Sequence, residues 1–337
     1  MDNETPKRIM DTAGNAGEAT PSNPIPKPQV SSDIRLDPGL IEALPLSVSE
    51  VLSARHYELQ IVRLGSRGRA MIEGEYESLK ALYAVSPTFV PVTYSWGSYK
   101  NKATGVHTHF LLTQCREIAD QPPNPVKFTA RLAELHRNSK SPTGKFGFHI
   151  TTCHAKLPQL TDCWTESWET LYKKQLAHMV HVDEEEHGAW PEFRQICKLI
   201  LDKVIPLLSE SRTIKPCLVH EDLWDENTAT DMEIGEPFAF DAGAFYAHNE
   251  YELGNWRAAR NKLSARIYVD NYKKNYPPSE PVDEWDDRNL LYPLRYDLGY
   301  AILFPGSNTR LVMKENMALL CANYFPADLQ ALQTRHR

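Results

Sequence analysis

Residues 217–246 read CLVHEDLWDENTATDMEIGEPFAFDAGAFY, and this segment constrains the chain more than any other. An apolar lead-in, Leu218-Val219, runs into His220 and Asp222, with Asn227 five residues later. A second apolar run, Pro237-Phe238-Ala239-Phe240, ends on Asp241. Short apolar runs closed by turn-forming residues predict two strands whose ends carry two carboxylates and a carboxamide. Oxygen donors fixed at strand ends suit a hard cation held against phosphate groups. A hairpin whose Asp and Asn only close turns would use the same residue types.

The order of the groups narrows this further. In a kinase catalytic loop one Asp accepts the hydroxyl proton. An Asn about five residues on binds metal, and a later strand-end Asp binds the bridging metal. Asp222, Asn227 and Asp241 stand in that order. His220 and Trp224 flank the first Asp and are the candidates to touch an acceptor. For Trp224 the choice is between stacking on a sugar and packing under the loop.

Upstream, Ile72, Tyr76, Leu79 and Tyr83 recur at helical spacing and predict a helix over 70–85. Glu75 falls on its packed side, and an inward Glu needs a cationic partner, for which Arg63 is the candidate. His56–Leu64 predicts one strand. Pro91–Trp96 and His109–Thr113 predict two more, joined by a polar turn over Gly97–Gly105. Gln114, Cys115 and Arg116 would follow into a hinge where a nucleotide base meets backbone groups. From Phe128 the pattern turns helical, with apolar stretches at 196–208, 292–304 and 312–324. His136 at a helix end is expected to be a structural cap. Trp164 and Trp168, four apart, would share one helix face, and Asp183–His187 reads as a solvated charge run.

The fold class is therefore α+β, with two lobes. Residues 1–35, rich in Pro, Ser and Gly, are expected to be a disordered tail. A small β-rich lobe spans 36–116, and a larger, mostly helical lobe spans 117–337. No Gly-rich hairpin precedes the first strand, so the small lobe is shortened; a phosphate-covering hairpin needs two strands of about 5–6 residues plus a loop.

A chain of 337 residues suits such a two-lobed unit. Its net charge of −7 and pI near 6.0 do not indicate a nucleic-acid surface. Positive charge for phosphate must then be local, and Arg63, Arg67 and Arg69 form the nearest cluster. The six cysteines show neither CxxC nor zinc spacing and point to a reducing, cytoplasmic setting. No apolar run of about 20 residues predicts a membrane span, and the acidic N-terminal residues fit neither a signal nor a transit peptide.

The segments KFGFH (145–149), LVHEDLWDEN (218–227) and FDAGAFYAHNEYELGNWR (240–257), with EGEYESLKAL (73–82) and LAELH (132–136), carry a resemblance. Over roughly Arg69 to Pro305 the chain resembles the fructosamine kinases, also called ketosamine 3-kinases or protein-ribulosamine 3-kinases, and looks closest to fungal members. The resemblance implies the fold shared by protein kinases and aminoglycoside phosphotransferases. It implies ATP, Mg²⁺ and a glycated amine, on protein or free lysine, whose sugar 3-hydroxyl is phosphorylated; the adduct then falls apart and frees the amine. Asp222 would be the base, Asn227 and Asp241 the metal ligands, and Glu75 the partner of the phosphate-binding lysine. Arg63 is the substitute for that lysine, although its planar fork is not an ammonium.

Three departures bear on activity: Glu221 stands where the family has the Gly of HGD, Glu226 precedes the metal Asn where the family has Gly, and the phosphate-covering hairpin is missing. They leave three readings open: an active sugar-amine kinase, a catalytically impaired pseudokinase acting as a binding module, or a kinase of another small hydroxylated substrate.

Overall fold

The computed structural model describes residues 9–11, 37–45, 57–62, 65–209 and 214–334. Arg63, and all of the 1–35 segment except Ile9–Asp11, lie outside the described residues.

Tyr57–Val62 (β2) buries Tyr57, Leu59 and Val62. It pairs antiparallel with β4 (His107–Gln114) and parallel with β1 (Ile9–Asp11), while β3 (Thr93–Lys100) closes the sheet in the order β1-β2-β4-β3. The expected turn at Gly97–Gly105 is shorter, because Gly97–Lys100 stays in β3. Gly97 lies opposite Phe110, and a Cβ there would stand 3.0 Å from the Phe110 ring, so this glycine makes room across the sheet rather than turning the chain.

The helix predicted from residue 70 begins at Gly65 (α2, Gly65–Val85) after a short helix at Pro38–Ala43 (α1). Ile72 and Leu79 of α2 are buried, with Tyr76 and Tyr83 packed against the same core. This places the inner face of α2 over β3 and β4.

The larger lobe begins with α3 (Pro125–Asn138). Asn124 caps it by accepting from the backbone N–H of Val126 and Lys127. A second sheet, ordered β8-β5-β12-β9, joins Trp164–Thr165, Phe146–Gly147, Phe245–Ala247 and Cys217–Val219. Around it lie α4 (Trp168–His187), α5 (Pro191–Leu199), α6 (Ile205–Ser209), α7 (Arg266–Asn275), α8 (Trp285–Leu291), α9 (Pro293–Leu303), α10 (Thr309–Tyr324) and α11 (Pro326–Thr334). A π-helical segment at Ile200–Val204 links α5 to α6. The core is unusually aromatic: Trp168, Tyr172, Tyr251 and Tyr292 meet with ring centroids 5.3–6.0 Å apart.

Two local expectations change here. Trp164 lies in β8 and Trp168 opens α4, so they do not share a helix face. Ser167 between them is extended (ψ 125°), and its hydroxyl accepts from Thr170 N–H, which starts the helix only afterwards. Asp183 is fully buried rather than solvated, held by Arg310 at 3.1 Å and His187 at 3.2 Å. Among the described residues no helix is long and apolar enough to cross a membrane.

Candidate active site

β9 runs antiparallel to β12 and delivers the chain into a buried turn at His220-Glu221. The peptide N–H groups of His220 and Glu221 both donate to the Glu252 carboxylate, at 2.5 and 2.8 Å. Glu252 sits in a 3₁₀ segment, Asn249–Arg257, and His136 approaches it at 3.5 Å while bonding the Tyr272 hydroxyl. His136 therefore serves as a buried brace, not a group of the cleft. Asp222 follows this anchored turn. Asn227 Nδ2 donates to both its carbonyl, at 2.9 Å, and its Oδ2, at 3.0 Å. The spacing of five residues lets the loop close on itself, so Asn227 fixes the carboxylate and keeps its own amide oxygen for another partner.

The Asn227 strand (β10, Thr228–Thr230) forms a hairpin with β11 (Pro237–Ala239), and Phe240 N–H donates to the Asn227 carbonyl. Asp241 then turns left-handed, with φ +59°. The loop after it is held from below: Thr152 Oγ1 and Gln159 Nε2 donate to the Gly243 carbonyl, and Ala244 N–H donates to Ser78 on α2. Asp222 and Asp241 line one cleft with Gln60, Val62, Met71, Glu75, Cys153, Ala155 and Ala242.

On the small-lobe side, among the described residues, Glu75 is bonded by Gln60 of β2. Its Nε2 donates to Glu75 Oε1 at 3.2 Å and to Asp241 Oδ1 at 3.0 Å. A neutral carboxamide thus stands between the helix carboxylate and the strand-end Asp, where the kinase pattern places a lysine ammonium. The sequence expectation had looked for a cation and so passed over Gln60; Arg63 lies outside the described residues. Burial, followed by the Asp241 charge and hydrogen bond, pushes the Glu75 carboxyl well above its usual range, and the Gln60 amide only partly offsets this. Among the described residues lining the cleft there is no lysine or arginine. Arg67, in the first turn of α2, is near enough to lower the Cys153 thiol slightly, but burial and Glu221 push that thiol up to about 12. Arg69 is tied to Glu73 at 3.4 Å.

Glu75 and Asp241 are thus bridged by one neutral amide, with the Glu75 carboxyl pushed toward its neutral form. Asp241 and the Asn227 amide offer oxygen donors of the kind Mg²⁺ uses when phosphates and water complete its shell. The residues present therefore fit such an ion.

The other predicted residues fall elsewhere. Gln114 and Arg116 form a clamp beneath the hinge: Arg116 donates to Gln114 Oε1, Thr88 O and Val90 O, lies 3.7 Å from Asp231 and stacks on Phe238. Gln114 N–H is already used by Val92 O. Gln114, Cys115 and Arg116 are not among the cleft-lining residues. Trp224 is half-buried, and its carbonyl closes the loop by accepting from Asn227 N–H and Thr228 Oγ1; its ring does not line the cleft. His220 is fully buried, and that burial lowers its pKa and favours the neutral ring, so it is not poised to reach an acceptor. Of the extra acids, Asp225 is engaged by Lys262 backbone and ammonium, and Glu226 is exposed. Glu221 adopts φ +80°, the left-handed region that a glycine would enter freely, with its carboxylate buried beside His154.

The fructosamine kinase family model matches residues 52–320. This chain belongs to the fructosamine kinase family. Among its relatives is a rice protein-ribulosamine 3-kinase, chloroplastic, 31% identical over 248 residues, covering 73% of this chain and 67% of the rice protein. A mouse ketosamine-3-kinase is 29% identical over 208 residues, covering 56% of this chain and 65% of the mouse protein. A solved Haemophilus somnus protein carrying a fructosamine-3-kinase name superposes with a TM-score of 0.63 at 19% identity, over 78% of this chain and 82% of that one. An aminoglycoside phosphotransferase, APH(4)-Ia, follows at 0.54 and 13%, over 79% and 87%. The last two carry the fold: a two-lobed, protein-kinase-like architecture. The family is one of phosphotransferases.

Proposed function

We propose that the protein transfers the γ-phosphoryl group of ATP to the sugar 3-hydroxyl of a glycated amine, a ribulosamine or fructosamine on lysine, and so takes part in deglycation. The observation that carries this is the meeting of Asp222, Asp241 and Glu75 around one cleft, with Asn227 bonded to Asp222. The relatives named as ribulosamine and ketosamine 3-kinases support the substrate class. An aminoglycoside phosphotransferase of the same fold (TM-score 0.52) was solved with AMP-PNP and hygromycin B, which supports ATP as the donor.

Asp222 accepts the hydroxyl proton as the new bond to phosphorus forms and the bond from the γ-phosphorus to the bridging oxygen breaks, releasing ADP. Asn227 keeps its carboxylate aimed, and the Glu252 carboxylate keeps the loop that carries it in place. Asn227 and Asp241 would hold Mg²⁺, which supplies charge neutralisation for the phosphates. Most of the rate enhancement in such a site comes from positioning and charge stabilisation rather than covalent chemistry. The six free cysteines support a reducing compartment, and we place the protein in the cytoplasm, although the plant relatives are chloroplastic.

The test is Mg·ATP-dependent phosphate transfer to ribulosyl- and fructosyl-lysine, with Asp222→Asn beside the wild type. Transfer that the variant loses supports the function and ranks the two sugars. A folded wild type that transfers to neither refutes it.

A further inference from the structure

His154 belongs to none of the segments that led to the site, yet its ring lies against the centre of the catalytic turn. It ends β6 (Cys153–His154), which pairs with β7 (Leu157–Pro158) in a hairpin beside the cleft. Nδ1 stands 3.2 Å from Glu221 Oε2, a hydrogen bond, and 3.6 Å from Asp222 Oδ1, an ion-pair distance. The far edge of the ring rests on α9. A Cβ at Gly299 would stand 3.1 Å from its Cδ2 and 3.4 Å from its Nε2, and Tyr296 meets the ring edge-on at 6.0 Å. The imidazole is thus wedged between α9 and the catalytic turn, with Nδ1 facing the carboxylates.

Glu221 supplies the reason for the arrangement. Its carboxylate is fully buried, and a buried carboxylate needs a partner. His154 donates to one of its oxygens, while the other has no hydrogen bond. The charged or titratable groups facing the ring are Glu221 and Asp222 from the turn, and Arg295 and Tyr296 from α9. Burial disfavours charge on the ring, but the Glu221 and Asp222 carboxylates outweigh it and raise the His154 pKa, with Arg295 opposing them.

We propose that His154 is a positioning residue for Asp222. Glu221 accepts the Nδ1–H hydrogen bond and so orients the imidazole, and the protonated ring then holds its positive charge 3.6 Å from Asp222 Oδ1 while Asn227 bonds Oδ2. The proposal rests on Asp222 as the acceptor-side base, so it is tested by one readout that needs no turnover and one that does.

The first is an NMR titration of isotopically labelled histidines, with the His154 signal identified by its loss in His154→Gln. The expected midpoint lies above the unperturbed value of about 6.5 and moves down in both Asp222→Asn and Glu221→Gln, since each removes a carboxylate charge. A midpoint unmoved by Asp222→Asn overturns the proposal, whether or not the wild type transfers phosphate. The second is steady-state kinetics. His154→Gln should lower kcat about 10- to 100-fold with the KM for nucleotide unchanged, the range seen when an orienting partner is lost. In the wild type, kcat should fall as pH rises through the His154 midpoint and the ring loses its proton; this limb should vanish in His154→Gln. A variant with wild-type melting temperature, kcat and pH profile overturns the proposal. An inactive wild type defeats the phosphotransfer reading alone, and the titration still decides the positioning role.

Discussion

The two walls of the cleft are held in different ways. On the large-lobe wall, Asp222 is fixed by Asn227, its turn is bonded through two peptide N–H groups to buried Glu252, and the Asp241 loop is gripped by Thr152 and Gln159. On the small-lobe wall a single carboxamide, Gln60, spans Glu75 and Asp241. The first wall fixes the geometry of the acceptor carboxylate through many bonds from several elements. The second wall meets the first through a neutral group. Gln60 is therefore expected to tune phosphate binding on its wall, whereas the Asp222 turn draws on several elements.

The largest expected effect probes the first wall at its reacting group. Asp222→Asn should cost about 10²–10⁴ in kcat, the range of a lost general base, with nucleotide affinity nearly unchanged by calorimetry. Equal losses in both would break the division between the walls. Next comes Glu252→Ala, which strands the buried peptide N–H groups of His220 and Glu221. Each charge-assisted bond lost costs about 1.5–3 kcal/mol, so a stability loss of about 4 kcal/mol is expected by urea unfolding. A loss under about 1 kcal/mol would mean that the turn is held by something else.

Gln60→Lys addresses the second wall. Its ammonium would pair with Glu75 and Asp241 and should tighten Mg·ATP binding about tenfold, or about 1.4 kcal/mol, while Gln60→Ala should weaken it. If neither variant shifts the dissociation constant, Gln60 does not set the charge of that wall. The smallest effect on binding is expected from Arg116→Ala. It should destabilise the fold by about 1 kcal/mol by freeing the part-buried Val90 carbonyl and Gln114 amide oxygen, yet leave nucleotide affinity unaltered. A clear loss of affinity would place Arg116 in the nucleotide site after all.

Much of the architecture was legible in the chain because it follows from local periodicity. The 3.6-residue stripe of α2 and the apolar runs of β9 and β11 declare themselves in one dimension. The order Asp222, Asn227, Asp241 was equally visible, since a loop and the strand-end turn that follows it are near neighbours in sequence. Gln60 was not visible, because what distinguishes it is its contact with a residue 181 positions away. Trp164 and Trp168 misled for the opposite reason: their spacing mimics a helix, and only the Ser167 cap breaks it.

By itself, then, the sequence determined the α+β class and the family, and it put Asp222, Asn227 and Asp241 forward as oxygen donors, because each is written in short-range pattern and residue type. Tertiary structure alone decided which side chain faces Glu75, that Arg116 braces the hinge, that His220 turns inward, and that a glutamate can occupy a left-handed, buried turn. Those outcomes depend on which distant groups share a desolvated volume. There the cost of an unpaired charge or peptide group, rather than local propensity, selects the partner.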